Sequence, residues 1–325
     1  MNKGILISIL ILLSSCEQNE IPIEQHPIGG IQTKQIEMGS DYSQQIYYKL
    51  ESNLTIRNNI KTDWDLGFQS TNNGMQIIIN SATFSQISEL EGHLFEDPVS
   101  LIDLNPTWSW DNPKGIYNNT AFNNYQSSTT YIFDRGYEIN GTTRGFRKIR
   151  IDSVNNNSYF IRCSKMDNTD LYNIEIKKDT IYNFQYLSFN NDTINLVDIE
   201  PEKDSWDLLF TQYTHLFDNN EETPAYLVTG ILTNYLNNVM VAKDTVNTFE
   251  SININMINSY NFSNDQDKIG YDWKVYDFES QTYAIKYDIN YIIKDLSGRY
   301  FKLHLTDFYN ESGEKGYPEF EMQEL

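Results

Sequence analysis

Apolar and polar positions alternate along most of this chain with a period of two. In WDLLF, Trp206, Leu208 and Phe210 fall on one side of an extended backbone, and Trp64, Leu66 and Phe68 do the same in WDLGF. The runs QIIIN, YLVTGIL, IKYDINYIIK and YFKLHLTDF are rich in β-branched and aromatic residues, which suit a pleated, half-buried surface. Asn72-Asn73-Gly74, Asn140-Gly141, Ser297-Gly298 and Ser312-Gly313 punctuate these runs with turn-forming pairs. No segment sustains a helical period. The pattern predicts an all-β protein of antiparallel, sandwich-like sheets.

The alternation also repeats at long range. KTDWDLGF and KDSWDLLF place Trp64 and Trp206 at an offset of 206 − 64 = 142. GFRKIRIDSV from Gly145 aligns with RYFKLHLTDF from Arg299 at an offset of 154, matching Ile149 and Ile151 to Leu303 and Leu305, and Arg150 to His304. One loop insertion absorbs the difference between the two offsets at little entropic cost. Two tandem related modules are expected, over residues 36–183 and 184–325. The second copy carries His215 after its tryptophan phrase, and the first has no histidine there.

The N-terminus breaks the pattern. MNKGILISILILLSSC has Lys3, an apolar run from Ile5 to Leu13 and then Leu13-Ser14-Ser15-Cys16. The run is too short to span a bilayer and fits a signal peptide over residues 1–15. The last four residues resemble a bacterial lipobox, so Cys16 is the expected lipid-attachment residue, and several acyl chains on one residue give stable membrane attachment. Residues 16–35, with Pro22, Pro27, Gly29 and Gly30, read as a tether that also holds His26. Acidic Glu17 and Glu20 just past the anchor resemble a surface-export signal of Bacteroidota lipoproteins, which places the expected mature protein at the outer-membrane surface.

Composition narrows the function classes. A formal charge of −21, from 24 basic and 45 acidic residues, repels phosphate backbones and argues against a nucleic-acid partner. With Cys16 lipidated, Cys163 has no intramolecular partner and reads as a small buried apolar residue. No CxxCH or zinc spacing, GxSxG, HExxH, P-loop or GxGxxG pattern is present. In NDQDKIG the third calcium-ligand position is Ile269. Nothing in the chain points to an enzyme.

SWDLLFTQY from Ser205, KIGYDWKVYDF from Lys268 and RYFKLHLTDFYNESGEKGYPEFEMQEL from Arg299 resemble the HmuY family of haem-binding Bacteroidota lipoproteins. The resemblance is clear from Asp204 to Leu325 and faint in the first half. It implies two antiparallel sheets around a ligand cleft, non-covalent haem capture from a haemoprotein and delivery to an outer-membrane receptor. Haem needs an apolar slot and axial ligands, usually His or Met. Among four histidines, His215 is the first candidate, because it lies where a regular strand enters an acidic, Asn-rich loop. Tyr213 shares its strand face and could stack on a porphyrin edge, and Met240 and Met256 could supply a thioether. His304 sits mid-strand opposite Leu303 and Leu305, where a solvated face is the simpler reading. His93 lies in an acidic loop, also read as solvated. A rival reading is glycan or protein binding through exposed Trp108 and Trp110 in PTWSWDNP, although hairpin packing accounts for them more simply.

Overall fold

The computed structural model describes residues 29–71, 73–123, 125–217 and 224–325. The strands run in chain order as β1 (Gln32–Gln35), β2 (Gln44–Lys49), β3 (Leu54–Ile60), β4 (Leu66–Gln69), β5 (Ile77–Ile79), β6 (Gln86–Glu89) and β7 (Thr130–Asp134). They continue as β8 (Phe146–Val154), β9 (Ser158–Ser164), β10 (Tyr172–Lys177), β11 (Phe184–Ser188), β12 (Asn195–Val197), β13 (Leu208–Leu216) and β14 (Ala225–Thr233). The last are β15 (Met240–Asp244), β16 (Lys274–Asp277), β17 (Thr282–Ile285), β18 (Asn290–Lys294), β19 (Tyr300–Tyr309) and β20 (Lys315–Glu324). Helical structure among the described residues is confined to short 3-10 turns. The all-β, antiparallel expectation holds.

The sheets form two layered halves. In one, the sheet β10-β9-β8-β7-β6 faces the sheet β12-β11-β4-β5 across a core that includes Phe68, Phe133, Tyr159 and Cys163. In the other, β1-β20-β19-β18-β15 faces β14-β13-β2-β3 across Tyr48, Phe210, Tyr291, Leu303 and Phe320. Each fully buried Phe contributes roughly 1.5–3 kcal/mol through apolar area removed from water. The tryptophan phrases work alike in both halves: Leu66 and Phe68 enter one core, Leu208 and Phe210 the other.

The two strand orders superimpose term by term. Strands β10, β9, β8, β7 and β6 occupy the places of β1, β20, β19, β18 and β15, and β12-β11-β4 those of β3-β2-β13. Individual bonds repeat as well. Asn80 Nδ2 donates to the carbonyls of Lys61 and Trp64, and Asn234 Nδ2 to those of Lys203 and Trp206. Asp65 accepts from Phe189 N at 2.7 Å and its own amide bonds Leu187 O. Asp207 does the same with Leu50 N, at 2.9 Å, and Tyr48 O. The same station is neutralised differently, by Arg135 at Asp65 and by Lys49 at Asp207.

This correspondence corrects the expected module boundary. The sheets do not divide the chain into 36–183 and 184–325: β2 and β3, from the start of the chain, complete the half built by β13–β20, and β11 and β12 complete the half built by β4–β10. In sequence the direct repeats begin at β1 and at β10. In space, each repeat lends its opening three strands to the other or receives them from it, as a reciprocal exchange. Alternation of side chains fixes which face of a strand is buried and is silent about which strand pairs with it.

Candidate functional site

Strand β4 ends at Gln69, whereas its counterpart β13 continues to Leu216, paired with β14 over the whole stretch from Leu208–Thr233 to Leu216–Ala225. The extra length makes a projecting hairpin, and His215 lies near its tip opposite Tyr226. The first half lacks a histidine after its tryptophan phrase because it lacks this projection.

The imidazole of His215 is half-buried between two rings, edge-on to Phe217 at 5.0 Å and to Tyr271 at 4.9 Å. Its Nδ1 is buried and has no hydrogen-bond partner among the described residues. Nearby Asp267 is raised above the usual carboxylate range by burial, an effect that the His215 charge opposes. Tyr271 arrives through a close backbone crossing, in which Gly270 bridges Ile231 of β14. Gly270 has φ +63°, and a Cβ on Gly230 would lie 2.4 Å from the Gly270 carbonyl oxygen, so both positions require glycine.

Beyond the crossing, the β16–β17 hairpin docks on β14. Lys274 Nζ donates to Thr229 O at 2.5 Å and sits 4.0 Å from the Trp273 ring centroid and 4.7 Å from that of Phe308. Burial pushes its ammonium down to about 7. On the hairpin, Tyr276 meets Phe278 at 5.1 Å and Tyr283 at 5.0 Å. Tyr226 is close enough to Tyr283 to help raise the phenol pKa of Tyr283, after burial. Phe278 is 84% exposed and Tyr226 58% exposed. The β13–β14 hairpin thus presents His215 between Phe217 and Tyr271, opposite the exposed Tyr226, and the β16–β17 hairpin carries a second set of exposed rings. Sequence reasoning found His215 and missed the ring set. Its signal was present in YDWKVYDF, where aromatics occupy both faces of a short hairpin.

The other candidates are placed elsewhere. Tyr213 is 1% exposed and packs with Val228 and Leu232, so it offers no face to a porphyrin. Met240 is on β15 in the opposite sheet, and Met256 lies in the 3-10 turn Ile254–Ser259, whose Ile257 packs with Ala242 and Ile292. Ala242 lies on the face of β15 away from the core residue Val241, so Met240, two positions before it, shares that outer face. Neither methionine is a companion of His215. His304 is not openly solvated: it stacks on Phe249 at 4.1 Å, and its Nε2 lies 3.1 Å from Glu321 Oε2. Arg150, its repeat counterpart, sits 5.7 Å from the Phe95 ring centroid. Lys302 and Lys148 likewise reach the carbonyls of Phe249 and Phe95, which identifies a structural device of the repeat. His93 is exposed and lines a cleft of about 700 Å³ in the first half. Trp108 packs against Phe146 and Trp110 against Phe84, which leaves neither as an open sugar platform. Cys163 is buried in its half's core, and burial pushes its thiol up to about 12. Cys16 and His26 lie outside the described residues.

Where the halves meet, Trp64 packs edge-on to Tyr186 at 4.9 Å and Trp206 to Tyr47 at 5.0 Å, around a cavity of about 90 Å³. That volume is well below the roughly 300 Å³ at which ligand pockets begin. Its notable group is Glu200, which accepts from Asn183 Nδ2 (2.6 Å), Phe184 N (3.0 Å) and Trp206 Nε1 (3.2 Å). Burial raises its carboxyl to about 7.

A family model described as HmuY protein matches residues 41–322. The chain belongs to the HmuY family. The match spans both halves of the molecule and is not confined to the second. Solved structures similar to it include apo PinO from Porphyromonas gingivitis, at 9% identity over 91% of this chain and 98% of that one, with a TM-score of 0.30. An apo HmuY analogue from Tannerella forsythia shares 12% identity over 92% and 98%, with a TM-score of 0.27. A protein from Bacteroides vulgatus described as HmuY-like and heme-binding shares 17% over 42% of this chain and 82% of its own, with a TM-score of 0.19. The sheet arrangement stands on this chain's own hydrogen bonds. No protein of curated function matches it.

Proposed function

We propose that this HmuY-family chain is a non-catalytic haem-binding lipoprotein of the cell envelope. The observation that carries the reading is the seat of His215 between Phe217 and Tyr271, opposite the exposed Tyr226, in a chain whose residues 41–322 match the HmuY family. The residues present fit a haem on one side: His215 would hold the iron, and Phe217, Tyr226 and Tyr271 would cover part of the macrocycle. Haem in this reading is taken from a haemoprotein and passed to an outer-membrane receptor.

Titrating the full-length chain with ferric and ferrous haem tests this. The expected result is a saturable Soret shift, lost in His215→Ala and retained in His304→Ala. No shift in either redox state overturns it. Attachment through Cys16 and display at the outer-membrane surface belong to the same proposal. Radiolabelled palmitate should enter the wild-type chain and not Cys16→Ala, and added protease should cut the chain on intact cells. Label in the variant, or protection from protease, would remove the corresponding part.

A further inference from the structure

The edge strand β6 pairs with β7, and at its end Leu90 N donates to Thr130 O at 2.8 Å. Antiparallel alternation therefore turns the amides and carbonyls of Ile87 and Glu89 to the side away from β7. Ile87 uses both of its groups there: its N–H donates to Ser109 O at 3.0 Å, and its C=O accepts from Ser109 N at 2.8 Å. The next rung of that ladder would join Glu89 to Thr107, and it is not made among the described residues. The two segments splay instead. The cleft of about 700 Å³ that opens between them has Glu89 and Thr107 in its lining, both exposed. The Glu89 carbonyl meets a 3.4 Å contact from the neighbouring Ser88 hydroxyl, which leaves its second lone pair to the cleft.

The second half shows what fills the equivalent space. Val241 and Ser263 form the same rung, and the connection between the bonded residues is equally long in both halves (109 − 87 = 22 and 263 − 241 = 22). There a 3-10 turn sets Ile257, 8% exposed, on Ala242 and Ile292. In the first half the places of Ile257 and Ala242 belong to Asp103 and Ser88 (257 − 103 = 154 and 242 − 88 = 154), and both line the cleft. Burying an aspartate there would strip its water, so Asp103 stands exposed and the space stays open. Glu89 and Glu91 are exposed in the same lining, which holds His93 and, among the described residues, no lysine or arginine.

We infer that this cleft docks an extended, basic segment of a partner protein. One residue of that segment exchanges N–H and C=O with Glu89 as Ser109 does with Ile87, which adds a strand to the open edge of β6. Lysine or arginine side chains on either side of that residue meet Glu89, Glu91 and Asp103. The formal charge of −21 draws a basic partner in and repels an acidic one.

The test is amide NMR of the full-length chain titrated with the blocked peptide acetyl-Thr-Lys-Val-Lys-Thr-amide. Saturable shifts are expected at Glu89, Leu90 and Thr107, with slowed hydrogen exchange of the Glu89 amide. Methylating the valine nitrogen removes the donor meant for the Glu89 carbonyl and should weaken binding about tenfold. Replacing both lysines of the peptide by glutamate should abolish it. Asp103→Ile installs the residue that the second half carries at this place, and should close the cleft and abolish binding. Asp103→Asn leaves the cleft open and should weaken binding about threefold. No shift at all, equal affinity for the glutamate or N-methyl peptide, or wild-type affinity in both Asp103 variants overturns the inference. Chitotriose that moves the same amides when the peptide does not would also overturn it, in favour of a glycan.

Discussion

At the scale of single residues, glycine and histidine carry the sharpest consequences. Gly230 sits where β14 passes under the 263–273 segment, with no room for a methyl group against the Gly270 carbonyl. Gly230→Ala should lower stability by about 1–3 kcal/mol, the usual range for an overpacked site. Denaturant unfolding would check this, and an unchanged midpoint would show that the crossing yields freely. His215 was legible because a chain with four histidines forces each to be weighed. His304 was harder to read, since alternation revealed its face and concealed Phe249, which reaches it from a loop fifty-five positions earlier (304 − 249 = 55). Tyr213 shows the opposite error: a strand face beside a candidate ligand was taken for a ligand face, and it belongs to a buried cluster.

At the scale of elements, strand identity was written in the sequence and strand partnership was not. The period-two pattern around Trp64 and Trp206 located β4 and β13, yet it could not show that β13 bonds to β2, more than 150 positions away (208 − 48 = 160). A fragment of residues 201–325 lacks β2 and β3 and leaves β13 with a bare edge and Phe210 uncovered. It should remain unfolded alone and fold when residues 29–60 are joined to it, with circular dichroism and amide-proton protection as the readouts. A fragment that folds unaided would show that the borrowed strands are dispensable. The β16–β17 hairpin was similarly half-visible: its aromatic content stood out, and its docking through Lys274 depends on a carbonyl of β14 that no local pattern announces.

At the scale of the whole molecule, buried acids set the response to pH. Glu200 and Asp111 are each raised to about 7 by burial, and Asp134, Asp207 and Asp267 move the same way. A carboxyl with a higher pKa folded than unfolded holds more protons in the native state, so stability falls as pH rises from the unfolded value near 4 to the folded value near 7. Lys274, lowered to about 7, acts in the reverse sense and adds stability only as pH rises from about 7 towards its unfolded value. The melting temperature should decline between pH 5 and 7, and Glu200→Gln should flatten that decline. A wild-type melting temperature that climbs across this window would contradict the assignment. The duplication itself was legible from the two WDL phrases, because each must place an aspartate and a leucine at the same station of a sandwich.

The borrowed strands also impose an order on assembly. Residues 32–60 are made well before the strands they bond to, β13 and β20 (208 − 48 = 160 and 322 − 32 = 290 positions). The β4–β12 half can close on itself during synthesis, while the β2–β3 hairpin waits for β13 and β1 waits longer still, for β20. A chaperone that shields extended segments would therefore find its natural client in β1, whose partner strand is made so much later.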